Sequence, residues 1–369
     1  MSKPSRRVTS ADVAALAGVS RSTVSYVLGG GERLESFSAD TVARVQAAAA
    51  ELAYTPNASA RSLRKGQSGV VLLALPDLPL AGNLGKFVSG LTDAVAATGR
   101  SLVTWFLRPG VRLREVLRDI TPQAIFEFVP LSAEDRATAA GTGIPVISAT
   151  EPIARLDRGV GGLQVLHLAQ AGHRRLGIVT TDNRWVGVFR DARRAGVHET
   201  AAALGLPAPL EVSVGTHDMA AATATPLPRE LTAGTRPRPG AGPGSSGAGP
   251  SGDTAMVQLA ATLRSWTSGP EPVTGVCCFN DLFAGLVVAA AGSAGLSVPA
   301  DLSVMGVDDE PLGGFLRPLL TTVRFDFAPM VEFAAGRLRQ VIDGAPAPRP
   351  FGSDIIELVE RESVAAPPS

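Results

Sequence analysis

The chain has 369 residues, enough for two or three domains with cores of their own. With 45% hydrophobic and 18% charged residues it reads as a folded chain, not a disordered one. Its 34 basic and 34 acidic side chains cancel, which on its face excludes a protein coated in positive charge for nucleic acid. The cancellation is not local, however. Residues 1–65 hold nine Lys/Arg and five Asp/Glu, and the remainder carries the opposite excess of four acids. A basic end on an acidic body suggests a nucleic-acid module joined to something else.

Residues 8–54 read as three short helices. Thr9 and Asp12 give a capping signal for the first, which turns Val13, Leu16 and Ala17 inward and stops at Gly18. Ser20 caps a second helix from Arg21 to Leu28, ended by Gly29-Gly30-Gly31. Ser38 caps a third, with Val42, Val45, Ala49 and Leu52 at helical spacing. Ala58 to Lys65 has room for one or two helical turns, marginal alone in water. After Gly66 the pattern changes to strands alternating with helices. Strands are expected at 70–75, 101–106, 124–129, 146–148, 176–180, 275–279 and 303–307. Helices are expected between them, including 84–98, 112–119, 161–171, 190–204, 253–267 and 281–295. This alternation implies an α/β fold with two doubly wound parallel sheets. From Ala220 to Gly252 a Pro/Gly/Ser-rich stretch without periodicity is expected to be a surface loop. It contains Gly242-x-Gly244-x-x-Gly247, but no strand precedes that string, so it does not read as a dinucleotide site.

Several chemistries find no support. The start MSKPSRRVTSADV lacks the apolar run of a signal peptide, so a cytoplasmic protein is expected. The apolar stretch from Leu282 is short and broken by Gly and Ser, as in a buried helix. Cys277 and Cys278 are neighbours and cannot staple a fold; they read as small core residues. His167, His173, His198 and His217 show no ligand spacing, so no metal or cofactor is expected. No Gly-x-Ser-x-Gly nucleophile elbow occurs, and no enzyme is expected. Trp105, Trp185 and Trp266 stand alone and read as packing residues.

The strings VTSADVAALAGVSRSTVSYVL and LAYTPNASARSLRKGQS resemble the lactose-repressor/galactose-repressor (LacI/GalR) family of bacterial transcription regulators. AGHRRLGIV, RRAGVHETAAALGL and above all FNDLFAGLVVAAAGSAGLSVPADLSVMGVDDEPLGGFLRPLLTTV continue the likeness in the same order. The resemblance implies a helix-turn-helix headpiece at 1–56, a hinge helix and linker at 57–66, and a two-lobed, periplasmic-binding-protein-like sensor at 67–369. Lobe one would take about 67–155 and 326–351, lobe two about 156–325 and 352–362. It further implies a ligand-responsive regulator, a repressor that binds a palindromic DNA operator as a homodimer (a tetramer remaining open) and answers to a sugar-like effector.

In a helix-turn-helix the second helix enters the major groove, which puts Arg21, Ser22 and Tyr26 at base edges. Ser10, Ser20, Thr23, Ser25 and Thr41 have hydroxyls suited to phosphates, though Ser20 and Thr23 also serve as caps. By resemblance Asn57, Ala60, Arg61, Leu63 and Arg64 belong to the hinge, with Leu63 as a minor-groove wedge unless it is ordinary core packing. Motif by motif, Arg193, Asn280 and Asp308 would face the effector, with Phe325, Asp77 and Phe279 as further candidates. The bland alternatives are a surface charge for Arg193, a helix cap for Asn280 and a turn for Asp308. Some positions depart from the family pattern. Tyr26 replaces a frequent Arg, Gly29 a frequent Asn and Phe325 a frequent polar residue, Met219 falls near a common aromatic position, and only Leu156-Asp157-Arg158 represents the usual Asp-Asn segment. These leave open a changed ligand class or a degenerate pocket. A solute-binding protein, the alternative from another class, would show a signal peptide and no headpiece.

Overall fold

The computed structural model describes residues 8–29, 36–54, 68–77, 82–108, 110–215 and 252–368. The chain divides into two units, Met1–Val70 with Glu115–Gln123 and Val71–Arg114 with Ala124–Ser369. The expected hinge residues Asn57, Ala60, Arg61, Leu63 and Arg64 lie outside the described residues. So do Met219 and the Ala220–Gly252 stretch, except that Gly252 opens a helix.

In the first unit the caps act where the sequence places them. Helix α1 (Ser10–Ala17) is held at its start by Asp12, whose carboxylate accepts from Thr9 N and Thr9 Oγ1 at 2.8 and 2.7 Å. Gly18 ends it at φ 65°, a conformation that favours glycine. Ser20 Oγ accepts from Thr23 N at 3.0 Å and opens α2 (Arg21–Gly29). Ser38 Oγ accepts from Thr41 N at 3.3 Å and opens α3 (Ala39–Glu51). Val13, Ala17, Val24, Val27, Val45 and Ala49 share one small core, so each helix contributes one stripe.

The second unit contains two parallel four-stranded sheets with the same strand order. In lobe one, β1 (Val70–Pro76), β2 (Ser101–Leu107), β3 (Ala124–Glu127) and β4 (Val146–Ser148) lie in the order β2-β1-β3-β4. Helices α4 (Gly82–Ala96) and α6 (Ala133–Thr142) belong to this lobe, and α5 (Leu113–Asp119) falls between β2 and β3 in the chain. In lobe two, β5 (Leu176–Thr181), β6 (Leu210–Val214), β7 (Gly275–Cys278) and β8 (Ser303–Met305) lie in the order β6-β5-β7-β8. Their helices are α7 (Thr150–Gln170), α8 (Gly187–Ala203), α9 (Gly252–Thr267) and α10 (Asp281–Ala294). β1 pairs with β3 from Val71↔Ala124 to Ala74↔Glu127, and β5 with β7 from Leu176↔Gly275 to Val179↔Cys278. The interior strands β1, β3, β5 and β7 are buried along nearly their whole length, as strands covered on both faces must be. The chain then adds β9 (Thr322–Phe325), returns to lobe one as α11 (Ala328–Asp343), and comes back as β10 (Ile356–Val359), antiparallel to β9. At Gly90 helix α4 meets α11 so closely that a Cβ there would lie 2.9 Å from Val331 Cγ2.

The sequence expectation names no element at α6, β6, β9, α11 or β10 and starts α7 too late; for α7 and β6 the physical reason is plain. The helix expected over 161–171 begins at Thr150. Pro152, Gly159, Gly161 and Gly162 lower its intrinsic propensity, but tertiary packing needs those glycines. A Cβ on Gly161 would sit 2.0 Å from Arg193 O, and one on Gly196 1.9 Å from Arg158 O, so α7 and α8 cross in near backbone contact. Strand β6 has no sequence expectation because it is an edge strand with alternate residues exposed.

Candidate functional site

In each lobe the order 2-1-3-4 reverses between the first and third strands, and ligands in such sheets bind beyond the carboxyl ends at that switch point. A cavity of about 470 Å³ lies there. Pro76 closes β1, Phe128 follows β3, Val186 follows β5, Phe279 and Asn280 follow β7, and Asp308 and Glu310 follow β8, all on its wall. Ile153, Leu156 and Asp157 come from α7, Phe189 and Arg193 from α8, Asn83 and Leu84 from α4, and Phe325, Phe327 and Met330 from the crossing into α11. The volume falls within the range of small-molecule sites, about 300–1,000 Å³.

Arg193, expected in the cleft, is there and buried at 8% exposure. Its Nε donates to Asp157 Oδ1 at 3.0 Å, Nη2 also reaches Asp157 Oδ1, and Nη1 reaches the Phe279 carbonyl. The guanidinium lies 5.0 Å from the centre of the Phe279 ring. Burial raises the Asp157 pKa even though Arg193 opposes the shift. Asn280 lines the cavity and also caps α10, its Oδ1 accepting from Phe283 N at 3.1 Å. Asp308 sits on the wall at φ 106°, a strained conformation for a residue with a Cβ. Burial pushes its pKa to about 6, Arg193 pulls it down, and Asp157 and Glu310 add to the rise.

The loop bearing Asp308 is fixed from both sides. Asp281 accepts from Thr322 Oγ1 at 2.6 Å and from Glu310 N at 2.7 Å, and burial raises its pKa to about 7. Asp309 is wedged between Arg324 at 2.7 Å and Arg361 at 2.6 Å; burial alone would raise its pKa, but the two cations hold it below the ordinary value.

Phe325 lines the cavity. Asp77 does not: it pairs with Arg108 Nε at 2.8 Å and is not part of the wall. The wall residues Asp157, Asn83, Glu310, Phe128, Phe189 and Phe327 had no place among the expected site residues. Asp157 alone left a signal, an acid on the stripe Ile153, Leu156, Val160, Gln164 that is otherwise apolar up to Gln164.

On α2, Val24 and Val27 point into the core while Arg21, Ser22 and Tyr26 are exposed. The Tyr26 ring stacks against Phe37 with centroids 6.3 Å apart. Thr23, Ser25 and Ser10 are half-buried, and the Ser20 hydroxyl is occupied by its cap and by Thr23 Oγ1 at 2.8 Å. Among the described residues no three His, Cys, Asp or Glu side chains form a metal cluster, and no helix is long and apolar enough to cross a membrane.

A helix-turn-helix unit followed in the same chain by two parallel α/β lobes around a ligand-sized cleft defines a transcriptional regulator with a sensor domain. Residues 9–57 match the model of bacterial regulatory proteins of the lacI family, and residues 165–364 match the periplasmic binding protein-like domain. The transcriptional regulator reg1 of Streptomyces lividans is 30% identical over 378 residues, 97% of each chain. The regulator GalR of Escherichia coli is 27% identical over 375 residues, 96% of this chain and 95% of the other. The protein belongs to the lacI family of bacterial regulatory proteins. Its fold resembles that of the lac repressor dimer solved with operator and an anti-inducer, with a TM-score of 0.71 at 24% identity over 98% of this chain and 100% of that one. It also resembles the regulator CelR solved with cellobiose, with a TM-score of 0.60 at 20% identity over 97% of this chain and 100% of that one.

Proposed function

We propose that this regulator is a cytoplasmic repressor that binds a two-fold symmetric operator as a homodimer. A small hydroxyl-bearing effector in the cleft would set its hold on DNA. The observation that carries the reading is the two-sided character of α2, with Val24 and Val27 in the core and Arg21, Ser22 and Tyr26 facing outward. One headpiece covers a half-site, so specific binding calls for two copies. In this reading residues 1–56 are the headpiece, 57–66 with Asn57, Ala60, Arg61, Leu63 and Arg64 the hinge, and 67–369 the sensor. Arg21, Ser22 and Tyr26 read bases, and Ser10, Ser20, Thr23 and Ser25 meet phosphates. The similar structures solved with operator and with cellobiose support the two ends of this assignment. The chain performs no reaction of its own in this scheme.

The test is selection of bound fragments from genomic DNA, followed by titration of the selected site and of a scrambled duplex. Arg21→Ala is expected to weaken the selected site by about 5–150-fold, the worth of one bidentate base contact, and the scrambled duplex far less. Equal losses on both duplexes overturn the base-reading role. Failure to select any palindromic site overturns the operator reading.

A further inference from the structure

Helix α7 carries a buried amide that stands behind the cleft wall without belonging to it. Gln164 is 1% exposed and lies two turns beyond Asp157 on the same buried face. Its Nε2 reaches three backbone carbonyls, Cys278 O at 3.0 Å, Met305 O at 3.3 Å and Gly306 O at 3.4 Å. Carbonyls only accept, so the amide must present its nitrogen to them. With two hydrogens for three acceptors, Cys278 O takes one and the other two carbonyls share the second.

These carbonyls lie where two strands separate. The ladder between β7 and β8 runs from Gly275↔Ser303 to Cys277↔Met305. Beyond that pair β7 continues against β5, with Phe279 N donating to Val179 O at 2.9 Å. β8 turns instead towards β9, with Gly306 N donating to Thr321 O at 2.9 Å and Asp308 N to Val323 O at 2.8 Å. The two arms meet again where Asp281 N donates to Val307 O at 2.8 Å. Buried carbonyls at such a fork need a donor, and Gln164 supplies it from the helix. Phe279 and Asn280 end one arm and Asp308 the other, and all three stand on the cleft wall.

We propose that Gln164 is a positioning residue of the cleft: its amide bridges the fork between β7 and β8 and so sets where Asn280 and Asp308 stand. The proposal rests on the cleft being the sensor site. Asp157, on the same helix, holds Arg193 through Nε at 3.0 Å. One helix thereby fixes three polar groups of the wall, Arg193 through Asp157, and Asn280 and Asp308 through Gln164. An apolar side chain of the same length fills the space but leaves the carbonyls unmet, which loosens the two arms and spares the rest of the lobe.

The test is amide hydrogen exchange of the full chain, without ligand or DNA, read by mass spectrometry. Gln164→Met is expected to speed exchange by about tenfold or more in peptides covering 279–281 and 306–309, with peptides of β1 and β5 changed by less than about threefold. Gln164→Asn keeps the amide but stops one methylene short, so it carries the same expectation and serves if the first variant does not fold. Unchanged exchange in the two arms, full protection in Gln164→Asn, or an equal rise in β1 and β5 overturns the positioning role; the last is what a residue that only adds stability would give. Selection of operator by the unmodified chain separates the two readings. Arms that loosen as expected in a protein that selects no palindromic site overturn the regulator reading alone, and a selected site with unmoved arms overturns the positioning role alone.

Discussion

Burial of Asp308 sets its charge against folding. Its folded-state pKa is about 6 against an ordinary 3.8, so between those values the native chain binds the extra proton. Stability therefore falls as pH rises from about 4 to 6, and above 6 the ionised carboxylate stays as a standing cost. Arg193, Asp157, Glu310 and Asn83 face this group, and of these Arg193 and Asn83 favour the charge. Asp308→Asn is expected to raise stability at pH 7 by about 1–2 kcal/mol, after allowing for solvent in the open cleft, and to flatten the pH 4–6 slope. Urea unfolding at several pH values checks both, and a stability unchanged at pH 7 and at pH 4 counts against the shift. The buried pair beneath it behaves in the other direction. Asp157→Ala leaves the Arg193 charge without its carboxylate at 8% exposure, which is expected to cost about 3–5 kcal/mol in the same experiment. These two residues also mark how far the site was legible. Asp308, Asn280 and Arg193 sit in strings with a recognisable order. Asp157, Asn83, Glu310 and the phenylalanines come from separate elements that only the fold brings together, and Asp77 follows a strand yet turns to Arg108 because that cation is within reach.

Where α7 crosses α8, a glycine's worth depends on what lies beyond its missing Cβ. At Gly161 and Gly196 that space holds backbone carbonyls of the other helix, 2.0 and 1.9 Å from the ideal Cβ. Gly161→Ala or Gly196→Ala must part the helices and is expected to cost about 1–3 kcal/mol or more. Gly292 lies on the exposed side of α10 with nothing within 4 Å, so the same change there is expected to stabilise by about 0.5–1 kcal/mol. Opposite signs of the shift in thermal midpoint check the pair, and a stabilising Gly161→Ala would mean that the two helices do not meet in this way. The same crossing explains why the first half of α7 was not legible: its glycines read as breakers until their contact is seen. The interior strands were legible because burial on both faces leaves continuous apolar runs, whereas edge strand β6 and the pair β9–β10 are short and partly exposed. The headpiece was legible down to its caps, since Thr9, Ser20 and Ser38 act locally and need no tertiary partner, but Leu16, expected inward, is exposed.

At the scale of the whole molecule the neutral total is the sum of unlike parts, with the basic excess confined to residues 1–65. If those residues carry the DNA contact, affinity must fall steeply with salt, because each phosphate neutralised releases a counterion. Effector binding in an uncharged form has no such term. A titration series is therefore expected to show operator affinity dropping by orders of magnitude between 50 and 200 mM salt, while affinity for a neutral cleft ligand changes little. Parallel slopes for both would place the ligand on the DNA-binding face. Regulation then adds a constraint that no single-site measurement supplies. A ligand shifts the DNA equilibrium only by its unequal affinity for the two states of the protein, and the coupling is reciprocal. If a cleft ligand changes operator affinity by some factor, commonly about 5–150-fold, the operator must change that ligand's affinity by the same factor. Both arms are measurable on the full chain, by operator titration with and without saturating ligand and by calorimetry with and without operator. Equal factors of either sign establish the linkage and decide between release and corepression. A ligand that binds the cleft with a factor of one in both arms occupies the site without regulating, because equal affinity for the two states shifts neither.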